Sequence, residues 1–450
     1  MVQSQVGGVS VGRSAIHGAL GFVVPTIVVL VSYPVLLRHL GAAAFGVYLL
    51  ALSLSGTVLA LDLGFSAATL KFVAKDLAAG RRQAAAEVIA TSLAVYGVLG
   101  VVGGAFIALF APQTAALLKI APAMAPGAIA AFRLAGLQFA VFLPATVFLS
   151  IAKGIERFDR SALFLSLLSI GTYGGAMLAV LVGGGLAGAM ATAVAANLAL
   201  LLLAAANAIQ LCRERGMELR YARPRRLAIR RMFGFGWFMT VNSFSGFLLY
   251  QFQRYLVSAA LGPAAVAVYQ TASVAASKAH AAVNAATEVL FPFSIASRDR
   301  AMLRRVYVRM LGASALVALV AFVSLAAFAR PLLTLWMGPR IAALAAPLVP
   351  IFALAYAFLA LSPAPFHLLN GLGKPWFNTL FYAMNAALNL AFVSVFSFRG
   401  ITLAKLAWAF ACANIMTSVS YQIAVELLIW RRESDDVPVM PGKRLSEASA

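Results

Sequence analysis

Only a few ionisable residues interrupt the long apolar runs of this chain, and their position makes them the first candidates for chemistry. A charged side chain inside a bilayer costs free energy, so it persists there mainly where it contacts a partner, a substrate or a transported ion. We therefore take the ionisable residues well inside the apolar runs as candidate site residues. They are Asp62, Arg133, Arg254, Lys278, His280 and Glu288.

The segment that follows Pro263 carries a regular polar stripe. Its polar residues recur in steps of 3, 4, 3, 4 and 3, which places them on one face of a helix. They are Gln270, Ser273, Ser277, His280, Asn284 and Thr287. Lys278 and Glu288 flank this face, whereas Val274 and Ala285 are predicted to lie off it.

Two other apolar runs carry polar residues that hydrocarbon could not hydrogen-bond, so these residues are expected to face inward. One run holds Thr240, Ser243, Gln251, Arg254 and Ser258, and a later one holds Asn378, Asn385 and Asn389. Such residues could join helices in a dry bundle, or they could line a wet cavity. Both interpretations stay open for the serines and asparagines, whereas Lys278, His280 and Glu288 favour the cavity for the stripe.

The ionisable residues predict a cavity of net positive charge, since Arg133, Arg254 and Lys278 outnumber the carboxylates Asp62 and Glu288. Such a cavity favours an anionic ligand, and arginine binds phosphate through two parallel hydrogen bonds. The predicted substrate-binding residues are Arg254, Lys278, Arg133, His280, Gln270, Ser277, Asn284 and Gln251. Asp62 and Glu288 are candidates for coupling transport to an ion, although Asp62 could equally brace a helix end.

Other classes of chemistry lack their signatures in this sequence. The sequence has no Gly-rich nucleotide-binding loop and no metal-ligand spacing. We therefore predict that the protein binds no cofactor or metal and is not an enzyme. Cys212 and Cys412 do not form a disulfide framework. The net charge of +21 could suggest nucleic acid, but the charges lie in short segments between apolar runs, so no nucleic-acid partner is expected.

The elements that must position these residues are transmembrane helices. Hydrophobic residues make up 62% of the 450 residues, against roughly 45–50% in soluble proteins, and about 20 apolar residues suffice to span a bilayer as a helix. We predict an all-α polytopic membrane protein with twelve spans. They cover residues 16–37, 45–67, 84–111, 127–151, 161–183, 186–210, 233–260, 264–290, 306–330, 341–369, 375–397 and 401–429.

The distribution of Lys and Arg among the loops predicts the orientation. With a cytoplasmic N-terminus, 26 of these residues fall in cytoplasmic segments and five on the other side, namely Arg38, Lys119, Arg330, Arg340 and Arg399. Cytoplasmic loops carry such an excess. Both termini are therefore predicted to lie in the cytoplasm.

A repeated phrase predicts two related halves. LGAAAFGVY begins at Leu40 and LGPAAVAVY at Leu261, with six of nine positions identical and an offset of 221. A second correspondence, at an offset of 217, pairs Gly154 with Gly371 and Asn197 with Asn414. We predict a six-helix N-terminal lobe (1–210), a basic cytoplasmic linker (211–232), a six-helix C-terminal lobe (233–430) and a cytoplasmic tail (431–450), with the substrate site between the lobes.

Several segments resemble one family of transporters. RHLGAAAFGVYLLALSLSGTVLALDLGFSAATLKFVAK, LGPAAVAVYQTAS with VLFPFSIASR, and LNGLGKPWFNTLFYAMNAALNL with GITLAKLAWAFACAN are similar to Wzx-type polysaccharide flippases of the multidrug/oligosaccharidyl-lipid/polysaccharide exporter superfamily. The similarity covers nearly the whole chain except the tail. Lys405 departs from the family, which usually has a small residue there, and QFQR lacks the acidic residue that often precedes the arginine.

The resemblance implies a V-shaped pair of lobes, like those of the multidrug extruders, around a cationic cavity worked by alternating access. It implies transfer of undecaprenyl-diphosphate-linked oligosaccharide repeat units across a bacterial inner membrane, with polysaccharide polymerase and glycosyltransferases as possible partners besides membrane lipids. A cation-coupled drug extruder is the alternative within transport, and the cationic spans disfavour it. A membrane-embedded glycan polymerase or ligase is disfavoured by the short, nearly uncharged periplasmic connections.

Overall fold

The computed structural model describes residues 8–56, 65–155, 157–290, 293–294 and 299–427, and those residues form helices joined by short turns. The helices of the first half are α1 (Gly8–Gly56), α2 (Phe65–Ala78), α3 (Arg82–Leu109), α4 (Ala111–Leu117), α5 (Ala125–Gly154), α6 (Phe158–Ser169), α7 (Gly175–Leu181) and α8 (Gly185–Glu214). A π-helical turn, Ile170–Gly174, joins α6 to α7.

The second half repeats this plan. Its helices are α9 (Arg226–Tyr250), α10 (Phe252–Leu261), α11 (Pro263–Thr287), α12 (Arg300–Met337), α13 (Pro339–Ala345), α14 (Val349–Leu359), α15 (Pro363–Gly371), α16 (Pro375–Ser397) and α17 (Leu403–Val425). Short 3₁₀ turns lie at Pro122–Met124, Leu219–Tyr221 and Ala346–Leu348.

Nine helical stretches within the described residues are long and apolar enough to cross a membrane, so the chain is a multi-pass membrane protein. One of them runs through the bend of α1 at Gly41, where the backbone turns into a second helix. The pair α9–α10 and helix α11 fall outside the nine because their polar residues lower their mean hydropathy. Counting these, the helices are compatible with the twelve predicted spans.

The repeated phrase adopts the same backbone conformation in both halves. Gly41 has φ 77° and ψ 163°, and Gly262 has φ 85° and ψ 168°. A side chain disfavours this left-handed region, which explains why glycine stands at both turns. The second correspondence also holds in detail, since Asn197 and Asn414 each donate through Nδ2 to the backbone oxygen four residues earlier, at 2.8 and 2.7 Å. Both correspondences therefore share their local geometry, as the predicted repeat requires.

The two copies of the phrase meet where the halves touch, at the end predicted to be periplasmic. A Cβ added to Gly46 would lie 1.8 Å from the carbonyl oxygen of Pro263, so the two backbones are in direct contact. Beside this contact, Ser258 Oγ donates to Leu118 O at 2.8 Å and Lys119 Nζ donates to Ala260 O at 3.2 Å. We call this contact the outer seam, formed by Gly46, Leu118, Lys119, Ser258, Ala260 and Pro263.

The segment predicted as a linker packs against the first half. Met217 and Met232 lie in a buried apolar cluster with residues of α2, α3 and α5, and Arg225 pairs with Glu87 of α3 at 3.1 Å. The start of α9 is thereby fixed to the first half, although the rest of the helix continues into the second.

The predicted orientation can be tested on exposed turn residues. A cysteine at Val182 (85% exposed) or at Leu261 (40% exposed) is expected to react with a membrane-impermeant maleimide added to intact cells. A cysteine at the exposed Arg226 is expected to react only after lysis, because 26 of the loop Lys and Arg share its side. Labelling of Arg226→Cys in intact cells would contradict this topology.

Candidate functional site

A cavity of about 570 Å³ lies between the two halves. Helices α10, α11, α14 and α17 form most of its wall, and the first half contributes Val29 and Tyr33 of α1 and Tyr173 of the π-helical turn. We call it the central cavity. Because both halves contribute to its wall, a rotation of one half against the other would change which side of the membrane can reach it.

The predicted polar stripe of α11 lies along the wall of the central cavity. Its lining residues on and next to this helix include Gln270, Ser273, Ser277, Lys278, His280, Asn284 and Glu288. Val274 and Ala285 also line the cavity, so the prediction that they lie off this face is wrong. The reason is geometric, because the cavity contacts a wider arc of the α11 surface than the arc that holds the polar residues.

Arg254 connects the two halves at the cavity wall. Its Nε donates to Gln270 Oε1 at 2.8 Å and its Nη1 donates to Ser53 Oγ of α1 at 2.7 Å. A guanidinium has five N–H groups, and the remaining three make no hydrogen bond to the residues that the structure describes. The guanidinium is thus held in place with donors left for an anion that enters the cavity.

Lys278 and His280 bring further nitrogen atoms to the same wall. Lys278 is half-buried and forms no ion pair within the described parts of the chain. The His280 ring lies 6.2 Å from that of Tyr356, and its buried Nδ1 has no hydrogen-bond partner among the described residues. Glu288 is exposed at the inner end of α11, within electrostatic range of Lys153 and His367.

Two other candidates do not line the central cavity, and a third cannot be placed. Arg133 is exposed on α5 and does not line the central cavity. Gln251 occupies the break between α9 and α10, and its buried Oε1 has no partner among the described residues. Its side chain is not part of the cavity wall, because the break changes the helical register between Gln251 and Arg254. Asp62 lies outside the residues that the structure describes.

The asparagines of α16 join helices of the second half. Asn389 accepts from Gln253 of α10 at 3.1 Å, and Asn385 donates to Asn414 of α17 at 3.2 Å. Gln253 also accepts from the hydroxyl of Tyr269. Of the two open interpretations, hydrogen bonding between helices describes these asparagines, and the network supports the wall that carries Arg254.

Four tyrosines of the central cavity were missed by the sequence analysis, namely Tyr33, Tyr173, Tyr269 and Tyr356. Their rings and hydroxyls surround the wall near Arg254 and offer both apolar and hydrogen-bonding surface. One signal in the sequence pointed to them, since Tyr269 is the last residue of the repeated phrase. The others stand singly in apolar runs and carry no pattern.

Solvent access to the stripe can be measured by cysteine chemistry in a variant with Cys212 and Cys412 replaced by alanine. Cysteines at Ser277 and Asn284 are expected to react with water-soluble thiosulfonates, since both line the central cavity. Cysteines at Ala276 and Val283 of the same helix should react far more slowly, because these residues are 1% and 4% exposed. Equal protection at all four positions would show a dry bundle.

A comparison with known families decides the classification. A family model described as a polysaccharide biosynthesis protein matches residues 11–298, more than half of the chain. The chain belongs to this family. A protein of Shigella flexneri described as an O-antigen transporter is 23% identical to this chain over 365 residues. The matched region covers 81% of this chain and 86% of that protein.

Solved structures share the fold of this family member. An inward-facing multidrug resistance MATE family transporter of the MOP superfamily has a TM-score of 0.75 at 14% identity, covering 91% of this chain and 98% of that one. An outward-facing MATE family transporter has a TM-score of 0.64 at 17% identity over 92% and 94%. A MOP superfamily transporter of Pyrococcus furiosus, described as having a binding pocket of reverse polarity, has a TM-score of 0.63 at 16% identity over 92% and 95%. The chain thus has a MATE-like transporter fold.

Proposed function

We propose that this protein is a flippase that moves undecaprenyl-diphosphate-linked oligosaccharide repeat units from the cytoplasmic to the periplasmic leaflet of a bacterial inner membrane, with both termini cytoplasmic. The observation that carries the proposal is Arg254 at the wall of a cavity between the two halves, a fixed guanidinium with three N–H groups that bind none of the described residues. The family match and the O-antigen transporter relative support the same substrate class.

The charges of the central cavity suit the step of transport in which the diphosphate leaves water. A diphosphate must leave water to enter the protein, and fixed positive charge offsets that loss of hydration. Arg254 can supply parallel hydrogen bonds to phosphate oxygens, and Lys278 adds a second cation on the same wall. The polar side chains of α11, including Gln270, Ser277, His280 and Asn284, contact the remaining oxygens.

In the proposed cycle, the closed outer seam corresponds to the state that loads from the cytoplasmic leaflet. The two repeats then rotate, the seam separates and the central cavity opens to the periplasm. Glu288 stands at the rim of the cavity and is the remaining described candidate for coupling this change to an ion, as Asp62 lies outside the described residues. A drug extruder for cations is disfavoured, because the described residues of the cavity wall include Arg254 and Lys278 against a single carboxylate, Glu288.

A reconstituted system tests this function. Liposomes containing the protein are loaded on one leaflet with an undecaprenyl-diphosphate-linked sugar, and transfer is measured by the sensitivity of that sugar to periodate added outside. We expect the sensitive fraction to change faster than in protein-free liposomes. Transfer at the protein-free rate, together with export of the lipophilic cation ethidium, would support the drug extruder instead.

A further inference from the structure

A second cavity, of about 270 Å³, lies within the first half of the molecule. Its polar lining comes from Gln138 of α5, Asn197 of α8, and Ser169, Thr172 and Tyr173 at the junction of α6 and α7. Apolar residues such as Phe142 and Leu52 complete the wall. We call it the N-half cavity, and the proposed transport of a diphosphate assigns it no task.

The chemistry of the N-half cavity differs from that of the central cavity. The described residues that line it include no Asp, Glu, Lys, Arg or His, so none of them matches a phosphate. Its carboxamides and hydroxyls both donate and accept hydrogen bonds, and Phe142 and Tyr173 add aromatic surface. Neutral donors and acceptors beside aromatic rings fit a polyhydroxylated, uncharged ring.

The buried amides of this wall have partners inside the protein and can still accept a further hydrogen bond. Asn197 is 1% exposed and donates through Nδ2 to Ala193 O at 2.8 Å, and Gln138 is 6% exposed. Because an amide oxygen has two lone pairs, it can also accept from a sugar hydroxyl, whereas an isoprenoid chain offers no donor.

The two cavities are neighbours. Tyr173 lines both of them. Leu52 lines the N-half cavity, and the next residue, Ser53, accepts a hydrogen bond from Arg254 of the central cavity. The π-helical turn Ile170–Gly174 places Thr172 and Tyr173 at this junction, and such turns occur frequently at functional sites.

We propose that the N-half cavity is the saccharide subsite of the transporter, which binds an uncharged sugar close to the diphosphate while Arg254 and Lys278 hold the diphosphate itself. The proposal rests on the proposed function, since it divides one substrate between the two halves. The anionic part lies against the second half and the sugar against the first, so the substrate bridges the surfaces that must move apart.

Binding of matched lipids to the purified protein tests the subsite. The probes are undecaprenyl diphosphate and its N-acetylglucosaminyl and galactosyl derivatives, with affinities measured by native mass spectrometry. The variants Gln138→Leu and Asn197→Leu remove an amide at nearly constant volume. Asn207→Leu is the matched control, because Asn207 lies on α8 with Asn197 but does not line the cavity.

We expect the wild-type protein to bind at least one glycosylated lipid more tightly than undecaprenyl diphosphate. Gln138→Leu and Asn197→Leu should each weaken binding of that lipid by about 3- to 10-fold, the effect of losing one or two hydrogen bonds, and leave undecaprenyl diphosphate binding unchanged. That unchanged affinity also shows that the variants are folded. Asn207→Leu should bind both lipids like the wild type.

Three results would overturn the saccharide subsite. One is wild-type affinity of both cavity variants for the glycosylated lipid. Another is an equal loss for lipids with and without sugar, which would indicate a site for the isoprenoid chain. The third is no gain in wild-type affinity from either sugar. Failure of the proposed function itself gives a different result, since the wild-type protein would then bind none of the three lipids.

Discussion

Arg254→Ala and Lys278→Ala are each expected to impair export of surface polysaccharide while the protein still reaches the membrane. A charge-assisted hydrogen bond contributes on the order of 1.5–3 kcal/mol, so losing one should weaken substrate binding by ~10- to 100-fold. The measurement is complementation of a strain that lacks its flippase, scored by surface polysaccharide, with the amount of membrane protein as the control. The polymer that is still exported should keep its structure, because only its flux is reduced.

Two further variants test whether export depends on the positive charge alone, on the shape of the guanidinium, or on its position in the central cavity. Arg254→Lys should retain part of the export, since the charge survives but the fork that binds two phosphate oxygens does not. Arg133→Ala removes an exposed arginine that does not line the central cavity, and it should complement like the wild type. Full complementation by the double variant Arg254→Ala/Lys278→Ala would remove the case for an anion site built on these residues.

Gly46→Val is expected to hold the outer seam open and abolish export. Any Cβ at Gly46 would lie 1.8 Å from the carbonyl oxygen of Pro263, and a backbone atom cannot move aside by changing rotamer. Overpacking costs about 1–3 kcal/mol, and here it falls only on the state in which the two halves touch. The population should therefore shift toward the open seam by roughly 5- to 100-fold.

The open seam is detected with a cysteine at Ser258, which is fully buried and donates to Leu118 O. In a background with Cys212 and Cys412 replaced, an impermeant reagent should modify Ser258→Cys slowly, and faster by a similar factor when Gly46→Val is added. Gly127→Val is the matched control, because a Cβ added at Gly127 meets no atom within 4 Å. If Gly46→Val leaves both the modification rate and export at wild-type values, the seam does not close as described.

The features that the sequence predicted well were those set by periodicity and repetition. The repeated phrase predicted two related halves, and its glycines Gly41 and Gly262 share one turn, because a backbone with positive φ selects glycine wherever it recurs. The stripe predicted most of the polar residues of α11 that face the central cavity, because hydrocarbon excludes polar side chains, but it missed Val274 and Ala285 and included the buried Thr287. Both patterns depend on local rules that act within one helix or one turn.

The features that it missed depend on how helices are turned toward one another. Arg133 is the only charged residue of α5 before Lys153 in its last turn, and an isolated charge does not reveal which face of a helix is inward. Gln251 was placed with Arg254 on one helical face, but the break after α9 separates them. Tyr33 and Tyr173 come from the first half and enter the cavity wall only when the halves dock, which no pattern within one half can show.

The outer seam is built almost without charge, although the chain as a whole carries +21. Its polar contacts are a hydroxyl and an ammonium, each on a backbone carbonyl, and no ion pair crosses it among the residues that the structure describes. Salt screens interactions between charges but leaves close backbone packing nearly unaffected. A higher ionic strength should therefore slow the binding of an anionic headgroup but leave the rate at which the seam opens unchanged. The two steps of one transport cycle thus respond to different properties of the solvent.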